Sequence, residues 1–262
     1  MSGPYEIDER VIERAMKPYP IIKEIVPYST PVVSFGNPAN AKVLTVGINP
    51  SSLEFLTGGK IKSVLSNGKK RLVDLEVLGI KDPKQLTKEM AIQVVEGCYN
   101  YFKKSSNPYM TWFKHLDTKV NQYFKAGYRD DTAAHLDLVQ WATNPVWGKI
   151  TNSSIKDLLL EGDVDFLRYQ IESAPHEVIF LNGKKVFEQL TTYKIVNADA
   201  SHPIHYQTKT GKRSSVSFYY GSTTNGTPVV GWSRTFPGHH ISDQALPGIV
   251  EKLHNHFRKY VS

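Results

Sequence analysis

The chain has 262 residues, 40% hydrophobic and 22% charged, which fits one large α/β domain and excludes a stapled mini-domain and wholesale disorder. Its 32 Lys and Arg against 25 Asp and Glu give a net charge of +7, which favours a polyanionic partner. The single cysteine, Cys98, excludes an intrachain disulfide framework, a zinc finger and a cysteine-held iron–sulfur cluster. It falls on an apolar helical stripe and reads as a buried thiol. No run of about 18 apolar residues occurs, and the first twenty residues lack a signal-peptide core. The expectation is a cytoplasmic protein (nuclear in a eukaryote), neither exported nor membrane-inserted.

In chain order, a helix is predicted over Glu6 to Met16. A proline-rich wrap through Pro18, Pro20, Pro27, Pro31 and Pro38 follows, so residues 1–40 lead into the first strand. Lys42 to Ile48 is nearly all apolar and predicts a buried parallel strand. Gly58 to Arg71 is a polar, lysine-rich stretch. Ala91, Val94, Val95, Cys98 and Phe102 share one helical face, as do Phe113, Leu116, Val120 and Phe124. His135 to Trp141 predicts a second strand, Asp163 to Ser173 a helix, and Glu177 to Leu181 a third strand. Tyr193 to Gly226 suggests a hairpin-like insertion around the β-prone run Ser215 to Tyr220. Thr227 to Trp232 predicts a fourth strand. Leu246, Ile249, Val250, Leu253, Phe257 and Tyr260 form the stripe of a final helix, with Ser242 or Asp243 as its cap. Alternating strands and helices predict a single three-layer α/β/α domain with a short, mostly parallel central sheet.

In such a sheet, ligands bind where strands end. The four predicted ends carry Asn49, Asp137, Asn182 and the pair His239–His240. Each has an ordinary reading. Asn49-Pro50 commonly starts a turn, an isolated histidine is usually structural or solvated, and Asp137 inside a strand can serve as a hydrogen-bond partner. Lys60, Lys62, Lys69, Lys70 and Arg71 read either as a solvated loop or as phosphate contacts. Lys184, Lys185, Arg234 and His239 are the other cations at strand ends. Trp147 is the most loop-like of the four tryptophans. No histidine spacing suggests a metal site, and no cofactor is expected.

Gly47-Ile48-Asn49-Pro50-Ser51, followed by Leu136-Asp137-Leu138-Val139 with Pro145 downstream, and then by His240-Ile241-Ser242, resembles the uracil-DNA glycosylase superfamily. The first motif is similar to the Gly-x-Asn-Pro turn of its mismatch-specific and single-strand-selective branches. The resemblance implies a DNA base glycosylase, a metal-independent monomer that hydrolyses the N-glycosidic bond of a flipped uracil-like or modified pyrimidine in single- or double-stranded DNA. It implies that His240 donates to the leaving base and that Asn49 orients the water. Gly47, Ile48, Pro50, Ser51, Phe55, Asp137 and Ser242 would form the base pocket, with Phe55 stacking on the base. Asn is a poorer general base than the Asp of other branches, so an Asp at position 49 is expected to speed the chemistry.

The chain departs from the family pattern at three places. Ser51 stands where uracil-specific branches keep a tyrosine, which implies tolerance of C5-substituted pyrimidines. Asp137 replaces the base-reading asparagine: it is protonated, or reads a different base, or is structural. Ile241 replaces a proline. Two other functions fit the same residues: a non-catalytic nucleic-acid-binding relative, and an enzyme of free nucleosides or nucleotides.

Overall fold

The computed structural model describes residues 6–18, 22–57, 60–61, 71–103, 110–119, 121–207 and 211–234. The predicted final helix, with Ser242, His239 and His240, lies outside them, as do Lys62, Lys69 and Lys70.

Helix α1 (Glu9–Met16) is capped by Asp8, whose side chain accepts from the Arg10 N–H. Strand β1 (Val43–Gly47) follows, then a short hairpin of β2 (Leu56–Thr57) and β3 (Lys60–Ile61). Helix α2 (Lys88–Tyr99), capped by Thr87, takes the first predicted stripe from Ala91 to Cys98, while Phe102 falls in a separate 3₁₀ turn, Tyr101–Lys103. The second stripe is divided: α3 covers Met110–Lys119 and a separate 3₁₀ turn covers Asn121–Phe124. Next come β4 (Ala133–Asp137), α4 (Ser153–Leu160), α5 (Asp163–Glu172), β5 (Val178–Leu181) and α6 (Lys184–Thr192). Strands β6 (Val196–Gln207), β7 (Arg213–Thr223) and β8 (Pro228–Trp232) complete the described chain.

The main sheet has six strands in the order β4-β1-β5-β8-β7-β6. Ladders β1–β5 and β5–β8 are parallel. Beside β4, Lys42 N–H donates to Thr132 O, and further on Val139 N–H donates to Ile48 O, so that pairing also advances in one direction. Only β8–β7 and β7–β6 are antiparallel. The architecture is the three-layer α/β class, a mixed and mostly parallel sheet with helices around it.

The burial pattern follows from this pairing. Every residue of β1, β4 and β5 is buried, as expected where both faces of a parallel sheet are covered. In β7 only Val216, Phe218 and Tyr220 of the run 214–220 are buried, the period of two of a half-exposed strand. Leu44, Leu136, Phe180, Phe218 and Trp232 are among the largest fully buried side chains, each contributing about 1.5–3 kcal/mol by leaving water. Gly221 sits where β7 crosses Asn197 of β6; a Cβ there would collide with the Asn197 carbonyl.

The chain forms two compact units interleaved in sequence. One comprises Met1–Asn37, Ile48–Pro108 and Leu136–Tyr169; the other comprises Pro38–Gly47, Tyr109–His135 and Gln170–Ser262. The second holds the sheet, except for the last two residues of β4. Among the described residues no helix is long and apolar enough to cross a membrane.

Two expectations are corrected. Strand β4 starts at Ala133 and stops at Asp137, not at Trp141. Beyond it Val139 N–H still donates to Ile48 O, and the pairing ends at Gln140, whose N–H donates to Asp163 Oδ2 at 2.8 Å and whose side-chain amide donates to Asp137 O at 2.9 Å. The predicted hairpin exists, but β6 and β7 belong to the main sheet and do not stand apart from it.

Candidate functional site

The turn after β1 is built on Asn49. Gly47 and Pro50 are buried, while Ile48, Asn49 and Ser51 are partly exposed. The Asn49 side-chain nitrogen donates to Thr143 Oγ1 at 3.0 Å, Pro50 O at 3.0 Å and Trp141 O at 3.3 Å. Ser51 bridges Thr143 in parallel fashion, and its hydroxyl accepts from Leu53 N–H, capping the 3₁₀ turn Ser52–Glu54. The amide nitrogen is therefore consumed in fixing the loops after β1 and β4 to each other. Among the described residues Asn49 Oδ1 accepts no hydrogen bond, so one oriented acceptor remains at the carboxyl end of a parallel strand. An amide oxygen held this way can accept from a water and aim its lone pair.

The loop after β4 is held from beneath by a buried ionic network. Arg14 of α1 donates through one terminal nitrogen to Asp163 Oδ1 at 2.6 Å and through Nε to Gln140 Oε1 at 3.0 Å. Both charged side chains are 3% exposed. The guanidinium also lies over the Trp141 ring, 5.2 Å from its centroid. Burial pushes the Asp163 carboxyl above its ordinary range, opposed by the Arg14 charge and the Gln140 N–H. Burial likewise pulls Arg14 down, opposed by Asp163. Gln140 is thus the link between this pair and the loop carrying Trp141 and Thr143.

The other expected residues are distributed as follows. Asp137 is the last residue of β4 and is 4% exposed. Phe55, expected to stack on a base, is 3% exposed and belongs to the core; the exposed side chain of that turn is Leu53, at 50%. Arg71, expected to face a polyanion, is 6% exposed, so its charge is withdrawn from the surface. Lys184 and Lys185 are exposed at the start of α6, and Lys184 pairs with Glu188 at 3.2 Å. Arg234 is partly exposed, and Lys60 lies in β3. Asn182, 2% exposed, accepts from the Trp232 indole at 2.8 Å and serves the core.

Thr143, Gln140, Arg14 and Asp163 were not found from sequence. One signal existed. Arg14 lies on the buried stripe of α1 with Val11 and Ala15, and a charge on an apolar stripe requires a buried partner. Neither a protein-family model nor a curated protein matches the chain.

Proposed function

We propose that the protein is a DNA base glycosylase acting on a flipped uracil-like or modified pyrimidine, in the cytoplasm or, in a eukaryote, the nucleus. The observation that carries this reading is Asn49: its nitrogen is fixed by Thr143 and Trp141, and its oxygen is left as an acceptor where a parallel strand ends. Hydrolysis of an N-glycosidic bond leaves a sugar cation and a base anion. Asn49 Oδ1 holds the attacking water, and His240 donates to the base oxygen as charge develops. Asp137, at the end of the neighbouring strand β4, lies at the strand end from which a base edge would be read.

The test uses labelled oligonucleotides, each containing one altered base, incubated with the full chain and then treated with alkali. Strand breaks at one base type are expected. Asn49→Ala should slow single-turnover cleavage about 100-fold, and His240→Ala about 100- to 1,000-fold, with DNA binding largely kept. Retardation of DNA without alkali-sensitive sites would instead identify a non-catalytic binding relative. Conversion of monomers alone would identify a nucleotide enzyme.

A further inference from the structure

The chain after Thr143 emerges at the surface. Asn144, Pro145, Val146, Gly148 and Lys149 are exposed, and Val146 retains 53% of its surface. Trp147 is partly exposed in a 3₁₀ turn, Trp147–Lys149, that buries none of its residues. Trp141 and Trp232, at 3% and 1%, are core. The segment is nonetheless anchored, by Thr143 at 1% exposure and Ile150 at 4%. A fixed segment presenting apolar side chains to solvent loses little entropy when it binds.

Its charge has one sign up to Lys156, which the exposed Asp157 follows. From Leu138 to Lys156 the sequence has no Asp or Glu; the charged residues are Lys149 and Lys156. Among the described residues neither lysine is in an ion pair. The Lys156 ammonium lies over the Trp147 ring, 5.6 Å from its centroid. A cation over an exposed ring is held more weakly than a stacked base. A base can therefore take the ring face and release Lys156 to a phosphate.

We propose that Val146, Trp147, Lys149 and Lys156 form a contact surface for single-stranded nucleic acid. The indole and Val146 take the face of an unpaired base, and the two lysines take the flanking phosphates. A paired base offers no free face, so single strands are preferred. This inference rests on the nucleic-acid part of the proposed function, and not on cleavage.

The experiment is fluorescence anisotropy of an end-labelled oligothymidylate with the full chain across a salt series. The native protein should bind in a salt-dependent manner, and unlabelled duplex should compete less well than unlabelled single strand. Trp147→Ala should weaken binding about 5- to 150-fold, with Trp147→Phe close to native. Lys149→Gln with Lys156→Gln should flatten the log–log salt slope by about 1.4. The control pair Lys84→Gln with Lys125→Gln removes equal charge elsewhere and should leave the slope unchanged. Native-like binding by Trp147→Ala, or equal flattening by the control pair, overturns the surface and leaves the glycosylase reading intact. No binding of any DNA by the native protein overturns both. Trp147-dependent binding to anionic phosphatidylserine vesicles, without oligonucleotide binding, overturns the nucleic-acid partner.

Discussion

Removing Asp163 should cost far more than removing Arg14, although the two form one ion pair. Asp163→Ala strips both acceptors: Oδ1, 2.6 Å from Arg14, and Oδ2, 2.8 Å from Gln140 N–H. The guanidinium, 3% exposed, cannot shed its proton and keeps only Gln140 Oε1 as a partner among the described residues. Breaking a buried pair costs about 3–5 kcal/mol, and an orphaned backbone donor adds about 1–3 kcal/mol. The expected loss is about 4–8 kcal/mol, a large share of a typical domain's stability.

Arg14→Met leaves a carboxyl that still accepts from Gln140 and is already pushed upward by burial. It escapes by taking a proton. Its folded pKa then stands above the unfolded value near 4, so the variant's deficit is greatest at neutral pH and shrinks as pH falls toward that value. Arg14→Met with Asp163→Leu should lie within about 1–2 kcal/mol of native, because no charge is left behind. Urea unfolding followed by far-ultraviolet circular dichroism, at pH 7.5 and pH 5.5, measures all four proteins. With slopes of about 1–3 kcal/mol per molar, the Asp163→Ala midpoint should fall by more than about 1 M. Equal costs for the two single variants, both independent of pH, would refute the reasoning.

Further predictions concern the Asn49 turn and one histidine. Asn49→Asp should slow cleavage, contrary to the expectation from residue type, because a carboxylate cannot donate to Pro50 O and Trp141 O and would face both; single-turnover assays beside Asn49→Ala decide it. Thr143→Val should lower the cleavage rate about tenfold and stability by about 1 kcal/mol, and Thr143→Ser should restore both; a Val variant at native rate removes Thr143 as a positioning residue. His176 Nδ1–H donates to Ala41 O at 2.7 Å, and burial holds its pKa below the usual histidine value. The native state thus favours the neutral ring. This stability is fully present above the unfolded value, about 6.5, and is lost as pH falls below it toward the lower folded value. Urea midpoints between pH 8 and pH 5 should fall more steeply for native protein than for His176→Gln, and parallel curves would count against it.

What the sequence revealed, and what it hid, divides along contact range. Val43–Gly47 and Val178–Leu181 were legible because a strand buried on both faces is a nearly continuous apolar run, broken here only by Thr45. Strand β6 was read only as part of a hairpin, because Asn197, Asp199 and Pro203 suit an edge and not a core. The end of β4 was misplaced because Leu138, Val139 and Trp141 are as buried as the strand itself; what halts the ladder is Asp163, far along the chain. Asn49 stood out through its neighbours Gly47 and Pro50. Its partner Thr143 is 94 positions away, and Arg14 and Asp163 are 149 apart, separations at which no local pattern links two residues.

The antiparallel margin of the sheet divides into two regimes of cooperativity. Phe218 to Ser222 of β7 are flanked by β6 on one side and β8 on the other, and Ser217 bonds Ser233 just beyond β8, whereas among the described residues Arg213 to Val216 pair with β6 alone. A two-stranded ribbon is marginal in water, so amide protons of 213–216 should exchange by local fraying, while those of 217–222 wait for larger opening. The same ribbon presents the outer side of β6, twelve residues long, without a described neighbour. Pro203, the charge of Asp199 and the register shift between Ala198 and Ala200 interrupt that side, the devices by which an open edge resists pairing with another chain. Substitutions that remove them would convert the open side of this ribbon into a seam for self-association.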